Sequence, residues 1–291
     1  MAVTAAASGT ELAGAGRRGT DGHRAGVFGR PVGHSLSPVL HRAAYAALGL
    51  SDWWYNAVEC GEDGLSGLLE SLGPEWTGMS LTMPLKRVVL ELADQVSPLA
   101  ADVGAANTLL LDGGRRRAEN TDVAGIVEAL REVGVTHADN PVVLGAGGTA
   151  QAALAALREL GGTEPVVLVR EPARARELRA TAERLEVRPR IEKGLDHPAR
   201  TAADIVISTL PAGAADALTG GWRPAQVVLD VVYAPWPTRF AGSAAAAGAT
   251  VVSGLAMLLH QAAAQVLLMT GRPAPVPAMR SALQAAVAAR R

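Results

Sequence analysis

The chain has 291 residues, 49% of them hydrophobic, and its 27 basic and 28 acidic residues leave a net charge of −1. That length fills one large or two medium domains, two being the expected number. The balanced charge lacks the long-range pull that a nucleic acid or an anionic membrane surface requires. A single cysteine, Cys60, excludes an intramolecular disulfide framework and a cysteine-based zinc site, and it reads as a small buried residue. Arg17 and Arg18 are not followed by an apolar export segment, so the expected location is the cytoplasm.

Residues 1–24 are rich in Ala, Gly, Ser and Thr without apolar periodicity, and read as a disordered leader. From Ala25 short apolar runs alternate with helical stretches, which argues for an α/β fold. "AGVFG" is followed by a helix with Ser37 as N-cap and Pro38 at its first position. "WWYNAV", a helix near "EDGLSGLLESL", "GMSLT" and the helical "KRVVLELA" follow. Asp112-Gly113-Gly114 between "NTLLL" and "RRRAEN" predicts a hairpin ending near Asp122. From Pro141 the pattern becomes strand "PVVL", turn "GAGG", helix "TAQAALAALREL", strand "PVVLVR" and helix "ARARELRATAERL". The runs "ADIVIST", "AQVVLDVVY" and "ATVVSG" read as further buried parallel strands, together outlining a doubly wound sheet. From Leu255 the chain is almost wholly helical, interrupted by "GRPAPVP". Its apolar "GLAMLLHQAAAQVLLM" carries His260 and Gln261 and is too short to span a membrane.

The turn after "PVVL" carries the first chemistry. Gly145 permits a tight turn, Gly147 lets backbone approach a pyrophosphate, and Ala150 allows close helix packing, the pattern of a dinucleotide site. At the end of the next strand Arg170, with Arg174 beyond it, suits a 2′-phosphate, whereas Glu171 suits a ribose 2′-hydroxyl. NADP is the expected cofactor, and NAD stays open because of Glu171. The helix mouth at Gly33, His34, Ser35 and Ser37 collects donors where an anion is welcome. His34 and His41 have no neighbouring ligands of suitable spacing, so no metal is expected. The five tryptophans, Trp53, Trp54, Trp76, Trp222 and Trp236, read as packing residues.

In order along the chain, "GRPVGHSLSPVLH", "SLTMPLK", "GAANT", "NTD", "GAGGTA", "ISTLPAG", "DVVYAPWPT" and "GLAMLLHQA" closely resemble the shikimate dehydrogenase family, from about Ala25 to about Gly271. The resemblance implies reversible NADPH-dependent reduction of 3-dehydroshikimate to shikimate in the pathway to aromatic amino acids. It implies two domains: a substrate-binding, catalytic domain of residues 25–122 plus 256–291, and a Rossmann-like dinucleotide-binding domain of residues 123–255. It further implies Lys86 and Asp122 as the catalytic pair and Ser35 and Ser37 at the substrate carboxylate. Thr82, Asn107 and Gln261 would sit at its hydroxyls, and Tyr233 in the segment that closes the pocket. The implied cofactor-binding residues are Gly145, Ala146, Gly147, Gly148, Thr149, Ala150, Arg170, Arg174, Thr209 and Gly254. The expected partner is a small-molecule substrate, with the chain a monomer or homodimer.

Those residue types suit the reaction. Hydride addition to a ketone builds negative charge on oxygen, and a lysine can supply both the cation and the proton. An unperturbed lysine titrates near ~10.4, so partial burial would favour the transfer while a neighbouring carboxylate would oppose it. Asp122 is therefore assigned to orienting Lys86 and binding the reacting hydroxyl, with proton transfer through either residue left open. The chain departs from the family pattern at Arg42 and Ser80, each in place of Asn, and at Val169-Arg170-Glu171 in place of Asn-Arg-Thr. Ala118-Glu119 precedes Asn120 where a Gly commonly lies two before the Asn, and Val266 and Met269 replace Phe and Trp. Two alternatives accompany the main reading: a quinate/shikimate dehydrogenase preferring NAD, and a non-catalytic paralogue that binds a nucleotide or small acid.

Overall fold

The computed structural model describes residues 22–290, so most of the expected leader lies outside the described residues. His23 and Arg24, assigned to that leader by composition, instead open the first strand. They pair in parallel register with Trp53 and Trp54, and the His23 ring stacks on Trp53 at 4.7 Å. Pairing and stacking with residues thirty positions away outweigh the weak local signal.

The first half builds a mixed six-stranded sheet. In chain order it holds β1 (His23–Gly29), α1 (Ser37–Ala47), β2 (Trp53–Glu59), α2 (Glu62–Ser71), β3 (Trp76–Leu81), α3 (Leu85–Leu92), β4 (Gln95–Val96), α4 (Pro98–Val103), β5 (Thr108–Asp112) and β6 (Arg115–Glu119). The strand order is β2-β1-β3-β5-β6-β4, with β5 antiparallel to both β3 and β6. The expected hairpin is present: Gly113 and Gly114 both take positive φ, as a two-residue turn between antiparallel strands demands. Arg42 covers the outer edge of this sheet, its Nε donating to the Tyr55 carbonyl on β2 at 2.8 Å.

α5 (Asp122–Arg131) leads into the second sheet: β7 (Pro141–Leu144), α6 (Gly148–Glu159), β8 (Val166–Val169), α7 (Arg176–Arg184), β9 (Arg190–Lys193), α8 (Pro198–Ala202), β10 (Ile205–Ser208), β11 (Val227–Asp230), α9 (Arg239–Ala246) and β12 (Thr250–Ser253). All six strands are parallel, in the order β9-β8-β7-β10-β11-β12, the doubly wound arrangement whose direction reverses between β7 and β10. The core strands β7, β8 and β10 are buried along their whole length, as continuous apolar runs in a parallel sheet should be. α6 is buried from Ala150 to Leu157, and its alanines let it lie close to the sheet.

Two helices end the chain, α10 (Gly254–Thr270) and α11 (Val276–Ala288). The first turn of α10 packs Ala256 and Met257 into the core around the parallel sheet, whereas Leu259, Ala262 and Val266 enter the core beneath β1 and α1. α7 also ties the two halves together: Thr181 Oγ1 donates to the Val103 carbonyl at 2.9 Å, and Glu177 pairs with Arg87 of α3 at 2.9 Å. Among the described residues no helix is long and apolar enough to cross a membrane.

The start of α1 differs from expectation. Leu36 occupies the cap position without a side-chain cap bond, and Ser37 is already helical. The Ser37 N–H instead donates to Ser35 Oγ at 3.2 Å, a local bond from the residue before the cap position, and Ser37 Oγ does not serve as the cap.

Candidate active site

In the first sheet the chain leaves β1 toward one side and β3 toward the other, and the two departing loops part above their carboxyl ends. The loop after β1 carries Ser35 and Ser37; the loop after β3 carries Thr82 and leads into α3, where Lys86 sits on the first turn. Asn107 immediately precedes β5, and Asp122 is the first residue of α5. With Tyr233 after β11 and Gln261 on α10, the expected substrate and catalytic residues come from six separate segments of the chain.

Lys86 Nζ donates to Asp122 Oδ2 at 2.6 Å, with side chains 27% and 8% exposed. The second carboxylate oxygen, Oδ1, accepts from Asn107 Nδ2 at 2.9 Å. Asn107 Nδ2 also meets Gln261 Oε1 at 3.2 Å, while its Oδ1 accepts from the Thr121 N–H at 2.7 Å. A backbone N–H can only donate, so the Asn107 amide has its oxygen toward Thr121 and its nitrogen toward Asp122. Asn120 completes the frame: its Oδ1 accepts from the Asp122 N–H at 3.0 Å and its amide donates to the Ala105 carbonyl at 2.8 Å.

These groups line one cleft of about 230 Å³. Ser35, Ser37, Thr82, Lys86, Asn107 and Asp122 form one side; Tyr233 and Gln261 also face it, as do Thr149 and Gly254 from the second half. Just before Tyr233 in the chain, Asp230 at the end of β11 accepts from Thr238 Oγ1 at 2.7 Å and from the Val232 N–H at 3.2 Å. Burial pushes the Tyr233 hydroxyl above its usual range, with the charge of Arg290 opposing it. Arg290 in turn donates to the His34 carbonyl at 3.0 Å, linking the chain just after α11 to the serine loop.

The glycine turn stands at the reversal point of the parallel sheet. Gly145 has φ +108, and a Cβ there would lie 2.6 Å from Thr209 Oγ1, which itself donates to the Leu144 carbonyl at 2.7 Å. Thr209 therefore braces the turn from β10. By contrast, a Cβ at Gly147 or Gly148 would meet nothing within 4 Å, and Gly147 heads α6 without any side-chain cap. Open space before the uncapped first turn of a twelve-residue helix fits a phosphate-bearing dinucleotide. Arg170 and Arg174 are both exposed beyond β8. Arg174 ends a short 3₁₀ turn of Pro172–Arg174 rather than lying on the helix, which starts at Arg176, and Glu171 Oε1 lies 3.5 Å from the Ala173 N–H at the head of that turn. Gly254 has a packing reason as well: a Cβ would lie 2.0 Å from the Val231 carbonyl oxygen. Among the described residues no His, Cys, Asp and Glu cluster suits a metal.

Known proteins share this architecture and much of the sequence. Residues 27–109 match the family model of the shikimate dehydrogenase substrate binding domain, and residues 254–284 that of the shikimate 5′-dehydrogenase C-terminal domain. The NADP(+) shikimate dehydrogenase of Methanothermobacter thermautotrophicus is 37% identical over 90% of this chain and 96% of its own. The chain belongs to the shikimate dehydrogenase family. The crystal structure of the Mycobacterium tuberculosis shikimate dehydrogenase superposes with a TM-score of 0.84 at 44% identity, covering 90% of this chain and 99% of that one. A Thermus thermophilus family member, solved in complex with NADP(H) and shikimate, matches with a TM-score of 0.81 at 35% identity over 91% and 99% of the two chains.

Sequence reasoning treated Ser80 only as a departure from the family pattern and did not single out Gln265, yet both line the cleft. Gln265 is 1% exposed and lies one helical turn beyond Gln261 on the same face of α10. A second amide in an otherwise apolar, buried helix was the available signal. His41 is fully buried and stacks on Tyr55 at 3.9 Å, whereas Trp54 is half exposed on the sheet edge and packs less than its type suggested.

Proposed function

We propose that this chain is an NADP-dependent shikimate dehydrogenase that reversibly reduces 3-dehydroshikimate to shikimate. The observation that carries the reading is the Lys86–Asp122 pair, 2.6 Å apart, in a cleft lined also by Ser35, Ser37 and, directly after the glycine turn, Thr149. The dinucleotide, when bound, supplies or accepts the hydride. Ser35 and Ser37 hold the substrate carboxylate; the Ser37 hydroxyl does not cap its helix, and a hydroxyl that takes part in one bond can still make another to the carboxylate. Thr82, Asn107 and Gln261 orient the ring hydroxyls, and Tyr233 closes the pocket beside them.

The proton passes at Lys86 Nζ. Asp122 already accepts one bond on each oxygen, from Lys86 and from Asn107, whereas the ammonium keeps two further N–H groups and 27% of its side-chain surface. In reduction the ammonium faces the oxygen on which charge develops and gives it a proton, then regains one from solvent. In oxidation the same nitrogen takes the hydroxyl proton away. Asp122 aims the lysine throughout.

The division of labour follows the two sheets, the mixed sheet with the terminal helices serving the substrate and the parallel sheet the dinucleotide. Gly145 to Ala150, with Thr209, cradle the pyrophosphate, and Gly254 lies at the junction. Arg170 and Arg174 take the 2′-phosphate. Glu171, the argument for NAD, has its carboxylate turned to the Ala173 N–H instead. The lone buried Cys60 suits a reducing cytoplasm, with the chain acting as a monomer or homodimer. Initial rates of shikimate and quinate oxidation with NADP and NAD, in all four combinations, test the reading. Shikimate with NADP should be fastest; faster turnover with NAD overturns the cofactor, and preference for quinate overturns the substrate.

A further inference from the structure

In the wall of the cleft, at Ser80 and Gln265, and behind it lies a set of polar side chains that the reaction does not use directly. Tyr55 on β2 donates from its hydroxyl to Ser80 Oγ at 2.6 Å, and Ser80 donates to Gln265 Oε1 at 2.7 Å. His41 on α1 approaches the same oxygen with Nε2 at 3.2 Å. The other end of the Gln265 amide, Nε2, donates to the Asn107 carbonyl at 3.1 Å and to Thr108 Oγ1 at 3.0 Å. Thr108 then donates to Asn107 Oδ1 at 3.0 Å, and Asn107 donates to Asp122. Each of these residues except Asp122, which is 6% exposed, is at most 4% exposed.

The directions are fixed by chemistry. The Asn107 carbonyl can only accept, so Gln265 must turn its nitrogen there and its oxygen toward Ser80 and His41. That choice makes Thr108 an acceptor from Gln265 and leaves its proton for Asn107 Oδ1. His41 consequently carries its proton on Nε2, and its Nδ1 is buried without a partner. One side chain on α10 thus grips both the main chain and, through Thr108, the side chain of the residue that hydrogen-bonds Asp122.

We propose that Gln265 is a positioning residue for the shikimate reaction, holding Asn107 so that Asp122 keeps Lys86 aimed at the substrate. The inference rests on the reading of Lys86 and Asp122 as the reacting pair. The titratable groups that face position 265 are His41 from α1 and, through Ser80, Tyr55 from β2. Both are neutral, burial pushing His41 down to about 3 and raising Tyr55. Asp122 and Lys86 lie beyond Asn107.

Two variants test it. Gln265→Met keeps length and volume but loses the amide, leaving the Asn107 carbonyl and Thr108 without their donor. It should lower kcat for shikimate oxidation about tenfold, as the loss of one aligned hydrogen bond does, with KM for NADP unchanged. Gln265→Glu keeps the shape. Its protonated carboxyl can still donate to the Asn107 carbonyl, whereas the ionised form turns a charge against that oxygen's lone pairs. The ratio of its kcat to that of the unaltered protein should therefore fall as pH rises, a limb that Gln265→Met lacks. In a crystal structure of Gln265→Met, Asn107 Nδ2 should lie beyond hydrogen-bond reach of Asp122 Oδ1. Unaltered kcat in Gln265→Met overturns the inference, as does a pH-independent ratio in Gln265→Glu or an Asn107–Asp122 bond that survives in the crystal. The crystal readout stands whether or not the protein turns over shikimate, so a failed assay of the unaltered protein sinks only the functional reading.

Discussion

The Lys86 end of the cleft is made of side chains that hold one another, whereas the glycine-turn end is made of backbone and open space. Asn107, 2% exposed, is engaged at both ends of its amide and at its carbonyl, so a change at any partner reaches Asp122. Gly147 and Gly148 have no protein atom within 4 Å of the position a Cβ would take, so nothing in the fold requires them to be glycine. The contrast follows from what each end must do. Acid–base chemistry needs side chains at fixed positions, and fixing them needs partners. A pyrophosphate needs backbone N–H groups that nothing shields.

The largest effect should come from the crowded end. Lys86→Ala removes the only cation bonded to Asp122 among the described residues and, in the proposed mechanism, the proton carrier, and kcat should drop roughly 10²- to 10⁴-fold, the usual worth of a positioned acid or base. Shikimate binding, measured by calorimetry on the same preparation, should persist because Ser35, Ser37, Thr82 and Gln261 remain. Turnover near that of the unaltered protein would refute the role given to Lys86.

The sequence made one end easier to read than the other. The glycine turn is local: strand, turn and helix are consecutive, and Gly145, Gly147 and Ala150 announce themselves within six positions. The Lys86 end draws on residues spread along most of the chain, and only resemblance to a family assembled them. His41 and Gln265 meet across 224 positions, and nothing near either residue signals the other. Local rules also misplaced the start of α1: Ser37-Pro38 has the form of a cap and first helical residue, but the helix begins one residue earlier, with Leu36 at the cap and the Ser37 N–H bonded to Ser35 Oγ. β9 went unread because "RIEK" is an edge strand with no buried residue, so no apolar pattern marks it.

Glycine substitutions probe the open end. Gly147 has φ −82 and ψ −173, extended backbone that any residue adopts, so Gly147→Val should leave the melting temperature near its original value. Its side chain would stand where the phosphates approach, raising KM for NADP by on the order of 100-fold. Gly254→Ala should do the reverse. The added carbon would lie 2.0 Å from the Val231 carbonyl oxygen, forcing backbone apart and destabilising the fold by roughly 1–3 kcal/mol, as overpacking typically does. A melt and an NADP titration on both variants decide the matter; a strongly unstable Gly147→Val would show that the open space serves the fold.

The smallest effect separates the two ends by pH. Burial holds the His41 imidazole near 3, against 6.5 in the unfolded chain. Between those values the unfolded chain binds a proton that the folded protein refuses, so the stability His41 contributes is whole above pH 6.5 and shrinks as pH falls toward 3. From pH 7 to pH 5 the loss should be about 2 kcal/mol, read from urea unfolding. His41→Phe keeps a ring against Tyr55 and removes the titration, so its stability should fall by about 2 kcal/mol less over the same interval. The turn from Gly145 to Ala150 contains no titratable side chain, and Gly147→Val should therefore keep the full acid dependence of the unaltered protein. An equal slope in His41→Phe would mean that the acid sensitivity lies elsewhere, and that the network beneath the cleft tolerates a charge it was built to exclude.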